Sequence, residues 1–197
     1  MKYVLLFAIL SPLFSIGQDS LLYQNLPVID GKVTYEKVIA LDSVSKDALF
    51  MTAKDWAVDA YRSQKATLQA EDKAGGYLAY KGYLPVYLEY RGGILKGKKY
   101  GVDLYHTLKF YIKDGKTKVV FTDLKTVSKD IGSSMMNVEE QRPIEIWEDD
   151  IKDMKGKKHV KYKEWNELNA RDIDLQIQTF LVALGKELQK KKTGFDF

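Results

Sequence analysis

The chain has 197 residues, 45% hydrophobic and 29% charged, enough for one globular domain with a real core and too apolar for a disordered chain. It has no cysteine and two histidines, His106 and His159, which excludes a thiol nucleophile, a disulfide framework, a Cys-ligated zinc site and a His-rich metal site. The formal charge of +4 is small for a nucleic-acid binder of this length, so no nucleic-acid partner is expected.

Met1-Lys2 is a short basic start, Tyr3 to Phe14 is apolar apart from Ser11 and Pro12, and Ser15-Ile16-Gly17 supplies small residues. This order predicts a signal peptide over 1–17, cleaved after Gly17. The apolar run is too short to span a bilayer comfortably, and no cysteine is present to carry a lipid anchor. The expected mature chain is therefore periplasmic or extracellular, not a lipoprotein, and without a membrane span. It would keep 30 basic and 27 acidic residues, a charge of +3. Residues 18–31 are a lead-in ending at the Asp30-Gly31 turn.

From Lys32 to Leu41, β-formers occupy both alternating sets, which predicts a first strand. Ser43 or Ser45 caps a helix over Lys46 to Arg62, with Leu49, Ala53, Trp56, Ala57 and Ala60 on one face. Trp56 is expected in the core. Ala66–Glu71 and Tyr77–Tyr83 read as strands joined by the turn Asp72 to Gly76. Pro85 interrupts, Val86 to Tyr90 resumes the β pattern, and Arg91 to Gly101 is a Gly/Lys-rich loop. Within that loop Gly92 to Lys99 nearly spells a phosphate-binding loop, but Lys99 replaces the Ser or Thr that would hold magnesium, and a strand follows.

The clearest signal is Leu104 to Leu124. A two-residue turn at Asp114-Gly115 sets Lys113 opposite Lys116, Phe110 opposite Val119 and Leu108 opposite Phe121. One face then carries Leu108, Phe110, Ile112, Val119 and Phe121, the other Thr107, Lys109, Tyr111, Lys118, Val120 and Thr122. A slip of one residue would scramble both faces.

The succession LPVIDGKVTYEKVIALDSVSKDALFMTAKDWAVDAY, then KGYLPVY, then TLKFYIKDGKTKVVFTDL, resembles the secreted bacterial family called domain of unknown function 4468, with a TATA-binding-protein-like fold. The likeness covers about Leu26 to Thr126 and rests on element order and short motifs, not on a catalytic signature. It implies a strand, a helix and a curved antiparallel sheet, with a further helix packed on the same side. It implies no activity.

Residues 32–126 are thus the core of the domain and 127–168 a polar loop or insert. A second helix over 169–192 is capped by Asn169, with Ile173, Ile177, Phe180, Leu181, Leu184 and Leu188 as its apolar stripe. The expected architecture is α+β: a curved antiparallel sheet of about five strands with two helices packed on one face.

Eight of the 13 tyrosines lie between Tyr77 and Tyr111. Alternation places Tyr77, Lys81, Tyr83, Tyr87, Tyr105, Lys109 and Tyr111 on the helix-free face, provided no bulge at Pro85 changes the parity. Such a face suits an envelope protein, a peptide or a glycan, and equally a half-wet structural sheet. His106 would sit opposite Asp123, a general base with its orienter or a simple cross-strand contact. No G-x-S-x-G elbow is present. Glu145, Glu148, Asp149 and Asp150 match no calcium loop and read as a solvated charge run. No cofactor and no metal is expected. The reading is a non-catalytic binding or structural module of the cell envelope. The alternative is an envelope hydrolase using acidic residues in 128–164.

Overall fold

The structure, a computed structural model, describes residues 26–61, 67–89, 93–128, 141–148 and 156–193. In chain order its elements are β1 (Val28–Ile29), β2 (Lys32–Val33), β3 (Tyr35–Ala40), α1 (Lys46–Tyr61), β4 (Thr67–Asp72), β5 (Tyr77–Glu89), β6 (Lys99–Lys113), β7 (Lys116–Ser128), β8 (Arg142–Pro143) and α2 (Gly156–Thr193). The expected signal peptide over 1–17 lies outside the described residues, as do Asp149 and Asp150. The side chains of His159 and Glu148 are likewise outside them.

The hairpin around Asp114-Gly115 is the middle of the sheet. β6 and β7 pair with Lys113 opposite Lys116, Phe110 opposite Val119 and Leu108 opposite Phe121, the register that the alternation demands. Strand order is β3-β7-β6-β5-β4, with β8 on β7, and every pairing is antiparallel. That makes six strands rather than about five, because the two-residue β8 joins the five longer ones.

The expected first strand breaks in two. β2 pairs with β1 in a small separate sheet, and β3 joins the main one. Thr34 sits at the break. Its N–H bonds to Pro27 O at 2.8 Å, and its hydroxyl shares a hydrogen bond with Thr122 at 2.8 Å.

Pro85 does not interrupt β5, which pairs with β6 one-to-one from Tyr77–Tyr111 to Glu89–Lys99. The reason is the direction of its nitrogen. Two residues on, Tyr87 gives its outward N–H to Gln176 Oε1 at 2.9 Å and receives Gln176 Nε2 on its C=O at 3.1 Å. Pro85 has the same parity and lies beyond Lys81, the last β4 partner among the described residues, so its missing N–H falls on an edge that no described strand pairs and breaks no ladder bond there.

Both helices pack on the Leu108/Phe110/Phe121 face. Ser45 Oγ accepts from Ala48 N–H at 3.3 Å and caps α1, and the Asp114 carboxylate accepts from Lys46 N–H at 2.7 Å. One aspartate thus serves the central hairpin turn and the start of the helix. Leu49, Phe50, Thr52, Ala53, Trp56, Ala57 and Tyr61 are buried. Ala60, expected on the buried face, is exposed, and Tyr61 takes the inward place. Trp56 lies edge-on to Phe110 at 6.0 Å and to Phe180 of α2 at 5.9 Å. From α2, Ile173, Ile177, Leu181, Leu184 and Leu188 are buried, as the stripe predicts, and Tyr35 donates to Asp174 at 2.9 Å.

α2 begins at Gly156, not at Asn169. The segment read as loop up to 168 is rich in Lys and Glu, good helix formers at a solvated surface. Lys163 and Glu167 form an i,i+4 pair at 3.9 Å, and Lys161 lies 5.9 Å from the Trp165 ring centroid. Asn169 is therefore inside the helix, and its buried Oδ1 has no hydrogen-bond partner among the described residues.

Candidate functional site

With both helices on one side, the odd-numbered side chains of β5 and β6 face the other. The unbroken register keeps that parity through Pro85, so all seven residues predicted for the open face lie on it. Tyr77 stands opposite Tyr111 with ring centroids 5.1 Å apart, and Tyr83 opposite Tyr105 at 5.6 Å. Lys109 faces Ala79, and Lys81 faces Thr107. Tyr87 is 60% exposed and Tyr111 44%; Lys81 is exposed, and Tyr77, Tyr83, Tyr105 and Lys109 are half-buried. The seven do not converge on one point. Tyr77 and Tyr87 are ten residues apart on a strand, roughly 33 Å.

What gathers some of them is a bulge in β7. Tyr105 pairs with Lys125 and Thr107 with Thr122, so Asp123 and Leu124 together oppose His106. Asp123 has a φ of 56°, the left-handed region that Asp tolerates better than most residues. The extra residue restores Leu124 to the core and leaves the Asp123 carboxylate beside Lys32, whose Nζ donates at 2.6 Å. That hydrogen bond, the Lys32 charge, a hydrogen bond with Thr107 and the charge of Lys109 hold the Asp123 pKa below the usual carboxylate value against the opposing effect of burial. The same hydrogen bond and the charge of Asp123 raise that of Lys32.

Around this bulge the sheet face opens a cleft of about 560 Å³, lined among others by Lys32, Lys81, Tyr105, Thr107, Asp123, Lys125 and Gln141. Of the predicted face residues it takes in Lys81 and Tyr105. Sequence reasoning missed Lys32, Lys125 and Gln141, and offered Asp123 only as the partner of His106. Alternation carried Asp123 past Thr122 as an ordinary strand residue, and the signal that could have found the bulge was a residue tolerant of positive φ between two runs of opposite parity.

The expected His106–Asp123 pair does not form. The bulge leaves the carboxylate with Lys32, while the imidazole turns into the core. There His106 Nδ1 lies 3.2 Å from Leu104 O, its ring stacks on Phe121 at 4.1 Å, and Nε2 lies 2.6 Å from Tyr61 Oη. A carbonyl can only accept, so Nδ1 carries the proton and Nε2 accepts from the tyrosine. Burial lowers the His106 pKa to about 4, against the opposing bond to Leu104 O. A neutral, solvent-excluded imidazole held by two hydrogen bonds is a structural group.

The other motifs fall out as structure. Glu145 Oε1 accepts from Val33 N–H at 2.9 Å and anchors β2. The sequence resembling a phosphate-binding loop leads through a 3-10 turn, Gly93–Leu95, into β6 rather than into a helix. Among the described residues no group of three His, Cys, Asp or Glu could hold a metal ion, and no helix is long and apolar enough to cross a membrane.

Comparison with solved structures gives the same fold. A TBP-like protein from Parabacteroides distasonis ATCC 8503 superposes with a TM-score of 0.55 at 12% identity, covering 83% of this chain and 97% of that one. A DUF4468 family protein from Bacteroides ovatus ATCC 8483 gives 0.51 at 16% identity, covering 81% and 89%. No curated protein matches the chain. Residues 35–126 match the family described as a domain of unknown function (DUF4468) with TBP-like fold. That span holds β3 to β7 apart from the last residues of β7, the paired tyrosines and the bulge. Over residues 35–126, then, this chain is similar to the DUF4468 family, and it has the TBP-like fold.

Proposed function

We propose that the protein is a non-catalytic binding module of the bacterial cell envelope, exported after removal of 1–17, whose contact surface is the helix-free sheet face. The observation that carries this reading is the pairing of Tyr77 with Tyr111 and of Tyr83 with Tyr105, flanked by Lys81 and Lys109, on a face that neither helix covers. Amphipathic rings held by a rigid sheet offer contact area and hydroxyl bonds at little entropic cost. The competing hydrolase needs a carboxyl group kept protonated beside a second carboxylate. It would draw on the acidic residues in 128–164, of which Glu145 is engaged by the Val33 N–H at 2.9 Å.

The test is a glycan and peptide array probed with the full chain and with a Tyr105→Ala/Tyr111→Ala variant whose fold is checked by circular dichroism. Binding lost in the folded variant is the expected result. Binding unchanged by both substitutions would remove the tyrosine face as the contact surface.

A further inference from the structure

We propose that the cleft beside the β7 bulge binds the carboxylate of an acidic saccharide, with Lys81 and Lys125 as the anion-binding pair and Tyr105 as the platform for the sugar ring. This rests on the binding-module reading above and assigns it a ligand chemistry.

Charge is the first argument. The lining carries Lys32, Lys81 and Lys125 against Asp123, a net +2. Lys32 and Asp123 satisfy each other at 2.6 Å, so the surplus lies on Lys81 and Lys125. These two approach from opposite sides of β6, Lys81 opposite Thr107 and Lys125 opposite Tyr105. A single carboxylate between them would receive a charge-assisted hydrogen bond from each.

Shape is the second. About 560 Å³ is within the range of small-ligand sites and suits one or two sugar rings. Tyr105 lines the cleft with Tyr83 behind it at 5.6 Å, and aromatic faces stack against the C–H face of a pyranose.

Topology separates a saccharide from a peptide. An extended peptide on a sheet is held by main-chain bonds to a free strand edge. The cleft lies in mid-sheet: β5 and β7 flank β6, and β3 and β8 cover the far side of β7. The nearest free edge, that of β5, lacks a donor at Pro85 and is closed at Tyr87 by Gln176. A compact ligand that binds from above needs no edge.

Calorimetric titration of the full chain with tri-galacturonate, and with the same trisaccharide methyl-esterified, tests the proposal. The acid should bind at least about tenfold more tightly than the ester, and Lys81→Gln/Lys125→Gln should erase that difference. Lys190→Gln, near the end of α2 and away from the sheet face, should leave the acid's affinity within about twofold. Equal affinity for acid and ester, lost in Tyr105→Ala, would overturn the anion assignment while leaving the binding face standing. Tight binding of the acid that the double lysine variant keeps would overturn the site. No binding of either trisaccharide would overturn the ligand class, and the array with the double tyrosine variant separately decides whether the face binds anything else.

Discussion

Tyr61 gives its hydroxyl proton to His106 Nε2 across 2.6 Å, and this one bond joins the last turn of α1 to the middle of the central strand. Both partners are buried, at 6% and 3% exposure, so neither can exchange the bond for water. Phe121 stacks on the imidazole at 4.1 Å, and burial raises the Tyr61 pKa as it lowers that of His106.

The imidazole gives the fold an acid limit. Unfolded, His106 titrates near 6.5; folded, it titrates near 4. Its neutral form is favoured by folding, so the stabilisation is fully present above pH 6.5 and is lost as pH falls through about 4. The difference corresponds to about 3 kcal/mol. Urea midpoints measured between pH 7.5 and 4 should fall steeply for the native chain. In a Tyr61→Phe/His106→Phe variant, which removes donor and acceptor together, the decline should be shallower over this window. An equal decline in both would mean that other groups set the acid limit.

Phe110 is fully buried opposite Val119 and meets the edge of Trp56 at 6.0 Å. Phe110→Ala should lower unfolding free energy by about 3–5 kcal/mol, read from urea denaturation. A loss below about 1 kcal/mol would contradict the packing of α1 on this face.

Two glycines at positive φ separate conformational cost from steric cost. A Cβ at Gly76, φ +70°, would sit 2.2 Å from the Ile112 carbonyl oxygen, whereas a Cβ at Gly115, φ +73°, would meet nothing within 4 Å. Gly115→Ala should cost about 1–2 kcal/mol, the left-handed penalty alone. Gly76→Ala must also push back backbone that holds the Ile112 N–H to Gly76 O bond of 2.7 Å, and should cost clearly more. Thermal melts of both variants decide, and equal shifts would be the wrong outcome.

Gln176 stands in for a missing strand at the edge of β5. Gln176→Ala should speed hydrogen exchange of the Tyr87 amide by about tenfold or more, because that N–H loses its partner. The Leu88 amide, which faces β6, should barely change. Unaltered exchange at Tyr87 would show that the clamp does not hold in solution.

Alternation and one turn dipeptide made the central hairpin legible: Lys113 to Leu108 and Lys116 to Phe121 pair as expected, and the buried face follows. The tyrosine face was legible for the same reason, since β5 and β6 keep period two without a break. Three features were not. The start of α2 was hidden because Lys- and Glu-rich surface turns carry no apolar stripe, and helix propensity alone is a weak signal. Pro85 looked like an interruption because only the position of β4 and Gln176 shows that its nitrogen faces a free edge. The cleft was invisible because it depends on Asp123 being one residue too many, and on Lys32, which β2 brings from 91 positions away.

The two helices seal one face of the sheet and leave the tyrosine face uncovered by either of them. Ring-proton relaxation induced by a soluble gadolinium chelate, measured by NMR on the tyrosines, tests it directly. The rings of Tyr87 and Tyr111 should relax strongly, those of Tyr77, Tyr83 and Tyr105 measurably, and those of Tyr35, Tyr61 and Tyr80 hardly at all. Protection of Tyr83, Tyr105 and Tyr111 to the level of Tyr61 would mean that the face is covered, and the contact surface proposed for it would be lost.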